Sequence, residues 1–361
     1  MRFFKSALLV FFGAALVASS AMAGSHKDPE LSGVVYSNFK YDLTDKEEDW
    51  EKGATSFDLD RCYLNVKGAV TEKFYYRVTG DVFRDEVKSY SLVPDPNNPG
   101  EYTLRSTTSK GKLGFGLKYA YVDVREVIPN HSIYFGMEKT PWVDFEQDIW
   151  GWRVIRKVAV DGPYMDSADL GLGVGGDLFG GVLNHHLTLT NGAGYKKPES
   201  GLSGKDVDYR LSIYPLKSNE NLKGLSVNGV VKAGNLGEKV AEGDAKNPVM
   251  VYGGMLGFTH DVVSVGAGYY MKSQGEDNEE AGTEKVSGNI ISAYATGHFQ
   301  VSEGMTVHPL ARYDMVEPNA DADDDETTLL VAGVGFKFFG DKLALIPNYQ
   351  MEGYKALNEN N

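Results

Sequence analysis

Short and long connections alternate between the apolar segments of this chain, and this alternation constrains the fold more than any other feature. The short connections are Ala69–Lys73, Glu126–Ser132, Gly176–Leu183, Thr259–Val262, Val301–Met305 and Phe339–Lys342. The long and charged connections are Thr44–Thr55, Glu86–Lys112, Thr140–Asp166, Asn191–Asp206, Gly234–Asn247, Ser273–Gly288 and Glu317–Thr327. Short turns at one edge and long loops at the other are typical of an antiparallel barrel in an outer membrane. A soluble sandwich or solenoid has no physical reason to keep this order.

The segments between these connections alternate apolar and polar residues with a period of two. Apolar residues at alternate positions share one face, and they include Cys62, Leu64, Val66, Phe115 and Tyr119. The polar residues between them face the other way, and they include Arg61, Asn65 and Lys118. A strand between two different environments requires this pattern, and it explains a mean hydropathy of −0.31 in a chain that spans a membrane. We therefore predict an all-β fold, a transmembrane antiparallel β-barrel of about 16 strands.

The strand count itself leaves an alternative open. Roughly fifteen segments can be counted, whereas bacterial outer-membrane barrels have even numbers of strands. Either the first segment, Leu31–Tyr41, pairs directly with the last, Leu343–Tyr354, or a final strand is missing, or a further strand lies near Glu101–Thr108.

The N-terminal 23 residues have the organisation of an export signal. Arg2 and Lys5 form a basic region, Ala7–Val17 is an apolar core, and an Ala-x-Ala cleavage site ends at Ala23. The apolar run is too short for a stable transmembrane helix, and no later run of about 18 apolar residues follows. We predict that residues 1–23 are cleaved and that residues 24–361 form a single domain in the outer membrane of a Gram-negative cell.

Net charge and motifs exclude several classes of function. The formal charge is −14, and loss of residues 1–23, which contain two bases and no acid, makes it more negative. This argues against a nucleic-acid partner. Neither a G-x-S-x-G elbow nor an H-E-x-x-H motif is present, and the adjacent pair His185-His186 points to opposite faces of a strand. The acidic runs Gly275–Glu280 and Asp321–Glu326 lack the EF-hand pattern. We expect that the protein is not an enzyme and that it binds neither a cofactor nor a metal ion.

The connection Thr140–Asp166 differs from the others because it combines three tryptophans with clustered charges. Exposed, that much aromatic surface would promote aggregation, so we predict that the loop folds into the barrel and narrows a channel. The charged residues expected at this constriction are Lys139, Asp144, Glu146, Asp148, Arg153, Arg156 and Lys157. The alternative is an ordinary packed surface loop, although loops of this length are usually functional or disordered.

Charged residues also recur near the centres of the predicted strands. The bases expected to line the pore there are Arg61, Arg77, Lys118, Arg210 and Arg312. Acids such as Asp81, Asp85 and Asp208 share their face. Desolvating so many charges in a dry barrel would cost several kcal/mol each, so a water-filled interior is favoured. The predicted function is a porin, a passive diffusion channel for small hydrophilic solutes or ions. The alternative is a closed barrel that acts in adhesion through its long acidic loops.

The order of local motifs resembles the phosphate-selective porin O and P family of outer-membrane barrels. The residues that carry the resemblance are Phe57–Arg61, Gly68, Tyr134–Pro141, Arg156, Asp169–Leu172, Leu189–Gly192, Ala311–Asp314 and Asn348–Gln350. The resemblance implies a water-filled channel, a homotrimer in the outer-membrane lipid, and anions such as phosphate among the solutes. The sequence departs from the family in two respects. Its inward bases are mixed with acids and do not form an arginine ladder, and its last segment, Leu343–Tyr354, is followed by residues without a closing aromatic.

Overall fold

The computed structural model describes residues 29–41, 43, 55–94, 102–196, 204–236, 249–278, 282–320 and 325–354. The predicted signal segment lies outside them. The chain divides into two compact units, one of Met1–Val70 with Tyr76–Ala120 and the other of Thr71–Tyr75 with Tyr121–Asn361. No helix among the described residues is long and apolar enough to cross a membrane.

The first unit is built from the N-terminal strands. Its strands are β1 (Glu30–Tyr41), β2 (Thr55–Ala69), β3 (Phe74–Pro94) and most of β4 (Tyr102–Arg125). β1 runs antiparallel to β2, from the pair Glu30 and Lys67 to the pair Tyr41 and Thr55, with a bulge after Tyr36.

The second unit is an antiparallel meander in which each strand pairs with its successor. Its strands are β5 (His131–Lys139), β6 (Ala168–Leu178), β7 (Leu183–Thr190), β8 (Lys205–Ile213), β9 (Leu225–Leu236), β10 (Val249–His260), β11 (Val263–Asn278), β12 (Gly282–Gly297), β13 (Phe299–Ser302), β14 (Met305–Glu317), β15 (Thr327–Phe338), β16 (Leu343–Leu345) and β17 (Asn348–Tyr354). The short β13 continues β12 along β14, and β16 precedes β17 along β15. The described residues therefore make fifteen strand passes. Glu101 lies outside the described residues and the rest of the segment Glu101–Thr108 belongs to β4, so no separate strand is described there.

Burial alternates along the strands as the period-two pattern predicts. In β9, for example, Ser226, Asn228 and Val230 are buried, whereas Val227 and Val231 are exposed. The exposed face is apolar along the second unit, and we call it the outer face. The opposite face carries the buried polar residues and contacts the segment after β5, and we call it the loop face. A sheet with one apolar exposed face is what a barrel in lipid requires.

Tyr119 in β4 departs from this alternation. Phe115 is exposed as predicted, but Tyr119 is buried and lies beneath the guanidinium of Arg77, on the polar face. Lys118 is buried as well. Burial at the two consecutive positions Lys118 and Tyr119 therefore departs from the predicted alternation, in which Tyr119 is exposed like Phe115.

Two of the predicted long connections are mostly strand. β3 reaches Pro94 and β4 begins at Tyr102, inside the predicted loop Glu86–Lys112; β11 and β12 likewise occupy most of Ser273–Gly288. Charged and polar residues occur at consecutive positions in these stretches, so the apolar alternation that identifies a strand is missing. Among the short connections, the prediction omitted residues 214–224 between β8 and β9.

Candidate functional site

The segment between β5 and β6 folds onto the loop face of the second unit, which confirms the predicted inward loop. It contains a helix, α1 (Val143–Trp150), which was predicted as irregular structure. Asp144 in its first turn interacts favourably with the helix dipole. Gly151, in the left-handed conformation at φ 75°, ends the helix and donates to the carbonyl of Gln147. Eight residues with three acids give too little apolar periodicity for a helix to be recognised from the sequence.

The helix and the turns after it bury an apolar cluster against the strands. The loop contributes Trp142, Val143, Ile149, Trp150, Trp152, Val158, Val160, Tyr164 and Met165. The strands contribute Val230, Val251, Met255, Tyr270, Ile290, Tyr294, Leu310 and Val331. Both sets are buried, so the loop is held on the sheet by hydrophobic contact over six strands.

Each tryptophan of the loop also has a specific polar contact. Trp142 donates to Glu146 at 2.8 Å. Trp150 donates to the carbonyl oxygen of Arg156 at 3.0 Å. Trp152 donates to Thr296 on β12 at 3.1 Å. A buried indole N–H without a partner would be costly, so these bonds fix how the three rings are oriented on the wall.

The three bases of the loop are paired with acids. Arg153 and Lys157 both approach Asp161, at 3.4 and 3.6 Å. Arg156 forms an ion pair with Glu352 on β17. The side chains of Arg156 and Lys157 remain more than a third exposed, so their charges face solvent while their acids limit the net field.

The three acids of the helix have different surroundings. Asp144 pairs with Lys139 at the end of β5, at 3.3 Å. Asp148 is exposed. Glu146 is fully buried and accepts hydrogen bonds from Trp142 and from the hydroxyl of Tyr270, at 2.8 and 2.9 Å. Burial raises the pKa of Glu146 to about 7, and these two donors offset part of that shift. Its carboxyl therefore contacts the strand wall and not open space.

Arg210 on β8 holds the start of the loop. Its guanidinium donates to the carbonyl oxygen of Pro141 at 2.8 Å and to Asn184 at 2.7 Å. The guanidinium carbon also lies 4.2 Å from the ring centre of Phe145. The buried guanidinium of Arg210 thus contacts both Pro141 and Phe145. These two contacts fix the position at which the loop leaves β5.

Arg312 on β14 supports the end of the helix. It pairs with Asp314 at 2.7 Å and lies 5.2 Å from the ring centre of Trp150. Asp314 also accepts from the hydroxyl of Ser292 at 2.7 Å. The structure therefore brings Arg210, Arg312 and the loop together.

The first unit holds the remaining predicted bases in a separate cluster. Arg61 pairs with Asp81, and both side chains are buried. Arg77 donates to Thr79 at 3.0 Å and to Asn65 at 3.2 Å. The ammonium of Lys118 lies 5.2 Å from the ring centre of Tyr63 and 4.9 Å from that of Tyr119. These bases face aromatic rings and amide oxygens as well as acids.

Several residues that hold the loop were not predicted from the sequence. They are Asp161, Tyr270, Thr296, Asp314, Gly335 and Glu352. No local signal marks them, because all except Asp161 lie on strands distant in sequence from the loop. Among the described residues, no group of three or more histidine, cysteine, aspartate or glutamate side chains is arranged to hold a metal ion.

Comparison with solved structures identifies the fold. The anion-selective porin from Comamonas acidovorans superposes with a TM-score of 0.54 at 10% identity, over 92% of this chain and 90% of that one. The outer membrane protein OmpT of Vibrio cholerae, in its trimer form, superposes with a TM-score of 0.52 at 12% identity, over 90% of this chain and 89% of that one. OprB of Pseudomonas putida superposes with a TM-score of 0.50 at 9% identity, over 94% of this chain and 91% of that one. The fold is that of an outer-membrane porin barrel.

Sequence comparison adds no family assignment. No protein-family model matches the chain, and no curated protein matches it. Identities of this size to the solved structures show the fold alone. The resemblance to the phosphate-selective porin O and P family is therefore not confirmed.

Proposed function

We propose that this protein is an outer-membrane porin, a passive diffusion channel for small hydrophilic solutes or ions, with the loop Thr140–Asp166 as its constriction. The observation that carries the proposal is a long loop packed on the polar face of a porin-type barrel through three buried tryptophans. An apolar outer face supports placement in the outer membrane, and the predicted signal segment supports export.

The solute preference follows from the loop charges. Arg156 and Lys157 are partly exposed, and a charge near a narrow pore acts more strongly on an ion than one at a wide mouth. Their partners Glu352 and Asp161 oppose them. We therefore propose modest selectivity with anions such as phosphate among the permeant solutes. The anion-selective Comamonas porin and the resemblance to the phosphate-selective family favour the same preference.

A homotrimer is part of this proposal. The OmpT structure is of a trimer form. On the outer face, Gly254, Ala267 and Ala293 leave a shallow apolar hollow between Leu256 and Tyr269. Small residues on a lipid-facing surface allow close approach of a second copy. The molar mass of the protein in detergent, corrected for bound detergent, tests this assembly.

The unitary conductance in planar lipid bilayers tests the channel. We expect discrete conductance steps from the wild-type protein and larger steps after deletion of Asp144–Lys157, because the deletion removes the constriction. The deletion variant serves as evidence only if it keeps heat-modifiable migration, which reports a folded barrel. A wild-type protein that inserts but shows no steps would favour the closed adhesion barrel. Unchanged conductance in a folded deletion variant would place the loop outside the pore.

A further inference from the structure

The carboxyl group of Glu146 is the most deeply buried charge-bearing group of the loop. Glu146 is 0% exposed and lies in the apolar cluster between α1 and the strands. Both hydrogen bonds that it accepts, from Trp142 and from Tyr270, go to the same oxygen, Oε2. The other oxygen, Oε1, is buried without a hydrogen-bond partner among the described residues. The two donated bonds favour the ionised form, but neither donor carries a charge and burial outweighs them, so the position suits an uncharged carboxylic acid better than a carboxylate.

The elements packed against α1 offer little compensation for a charge at this position. β10 contributes the apolar residues Val251 and Met255. β11 contributes Tyr270, and β12 contributes Tyr294, whose hydroxyl donates to the backbone oxygen of Glu146 at 3.4 Å.

Two charges on β14 act on Glu146: Arg312 favours its ionised form, and Asp314, which pairs with Arg312, opposes this effect. Among the described residues, no ion pair involves Glu146. Its neighbours on the helix, Asp144 and Asp148, are at least partly exposed and add negative charge. Ionisation of Glu146 would therefore leave an unpaired charge in an apolar contact.

We propose that Glu146 is a proton-operated latch: its protonated carboxyl holds α1 against β10–β12, and its ionisation loosens α1 and widens the constriction. The latch regulates the channel described above and so rests on that proposed function. Trp142 and Trp150, at the two ends of α1, pack against the strands. Loss of this packing therefore moves the part of the loop that narrows the channel.

The direction of the pH dependence follows from linkage. A solvated glutamate has its usual pKa near 4.5, and burial raises the pKa of Glu146 in the packed loop to about 7. The packed state therefore binds the proton more tightly, and its stability falls as the pH rises from about 4.5 to about 7. Over this interval the equilibrium constant for loop packing decreases by on the order of 10²-fold. Above pH 7 the carboxyl is ionised in both states and the dependence ends.

Two measurements on the wild-type protein and on Glu146→Gln test the latch. The first is unitary conductance in bilayers from pH 4.5 to 8. The second is acrylamide quenching of tryptophan emission in lipid vesicles, in a Trp50→Phe background, so that Trp142, Trp150 and Trp152 alone report on the loop. We expect conductance and quenching to rise with pH in the wild type. In Glu146→Gln, whose side chain stays neutral, both remain at the low-pH level.

The matched control is Glu303→Gln, which removes an exposed acid from the connection between β13 and β14, outside the loop, and should keep the wild-type pH profile. Tyr270→Phe provides an independent test, since it removes a donor that lowers the pKa of Glu146. The pH at which its dependence ends should therefore be higher than in the wild type.

The outcomes separate the latch from the channel. A wild-type channel whose conductance and quenching do not change with pH overturns the latch and leaves the channel intact. An unchanged pH profile in Glu146→Gln also overturns it. If no conductance occurs at any pH but quenching follows Glu146, the channel fails and the protonation-dependent packing stands.

Discussion

The six-membered ring of Trp152 lies directly on the backbone of Gly335 in β15. A Cβ atom at position 335 would come within 2.2 Å of the ring atom Cη2, closer than any side chain could tolerate. The same indole donates to Thr296 on β12 and contacts the ring of His308 on β14, with 5.4 Å between ring centres. A glycine at position 335 is therefore required for Trp152, in the middle of the loop, to pack against β15.

We expect Gly335→Val to displace Trp152 and loosen the loop while the barrel still folds. The overlap is of the kind that costs about 1–3 kcal/mol in a packed core. Acrylamide quenching in the Trp50→Phe background should increase, and unitary conductance should become larger or noisier. Ala332→Val adds the same side chain at an exposed position of the same strand and should change neither quantity. Equal effects of the two variants would contradict the role of Gly335 in the packing of Trp152.

Neutralising Arg153, Arg156 and Lys157 together, each to glutamine, should lower the permeability of anions relative to cations. The reason is that their acids, Asp161 and Glu352, would then act on passing ions without compensation. The reversal potential in a salt gradient measures this ratio.

Removal of an acid from the loop, in place of its bases, should shift the selectivity in the opposite direction. Asp161→Asn removes the acid shared by Arg153 and Lys157 and should raise anion permeability. If the reversal potential moves in neither variant, the loop charges do not border the permeation path.

The buried pair Arg61–Asp81 predicts a strong effect on stability. Arg61→Met should lower the free energy of unfolding by about 3–5 kcal/mol, because it removes the guanidinium that forms an ion pair with the buried carboxylate of Asp81. The double variant Arg61→Met/Asp81→Leu should recover most of the loss. Urea unfolding in lipid vesicles measures both. Lys67→Met, at an exposed position of the same strand, should change stability by less than about 1 kcal/mol. A small effect of Arg61→Met would show that water reaches the pair.

The barrel fold predicts heat-modifiable migration in electrophoresis. A closed ladder of strands has no edge from which SDS can unravel it. Unboiled protein from native membranes should therefore migrate differently from boiled protein. Identical migration of the two samples would argue against a closed barrel under those conditions. Folding from urea into detergent and into vesicles should restore the unboiled form.

The sequence determined the class of fold because strand alternation and connection length are local properties. Leu64 on one face and Arg61 and Asn65 on the other are assigned from spacing alone, and the structure exposes the first and buries the other two. The tryptophan-rich composition of the loop was enough to predict that it folds inward, since such surface has to be buried. The local signal failed where the pattern was interrupted, as at Tyr119 and in α1.

Only the tertiary structure decided what each charged residue of the loop contacts. Arg156 meets Glu352, and Glu146 meets Tyr270, across large separations in the chain. Such partners depend on strand register and on how the helix is rotated on the sheet, and no short sequence window contains either quantity. Glu146 looked equivalent to Asp144 and Asp148 in the sequence. Burial separates them, because one helix face packs on apolar strands while the others remain in water.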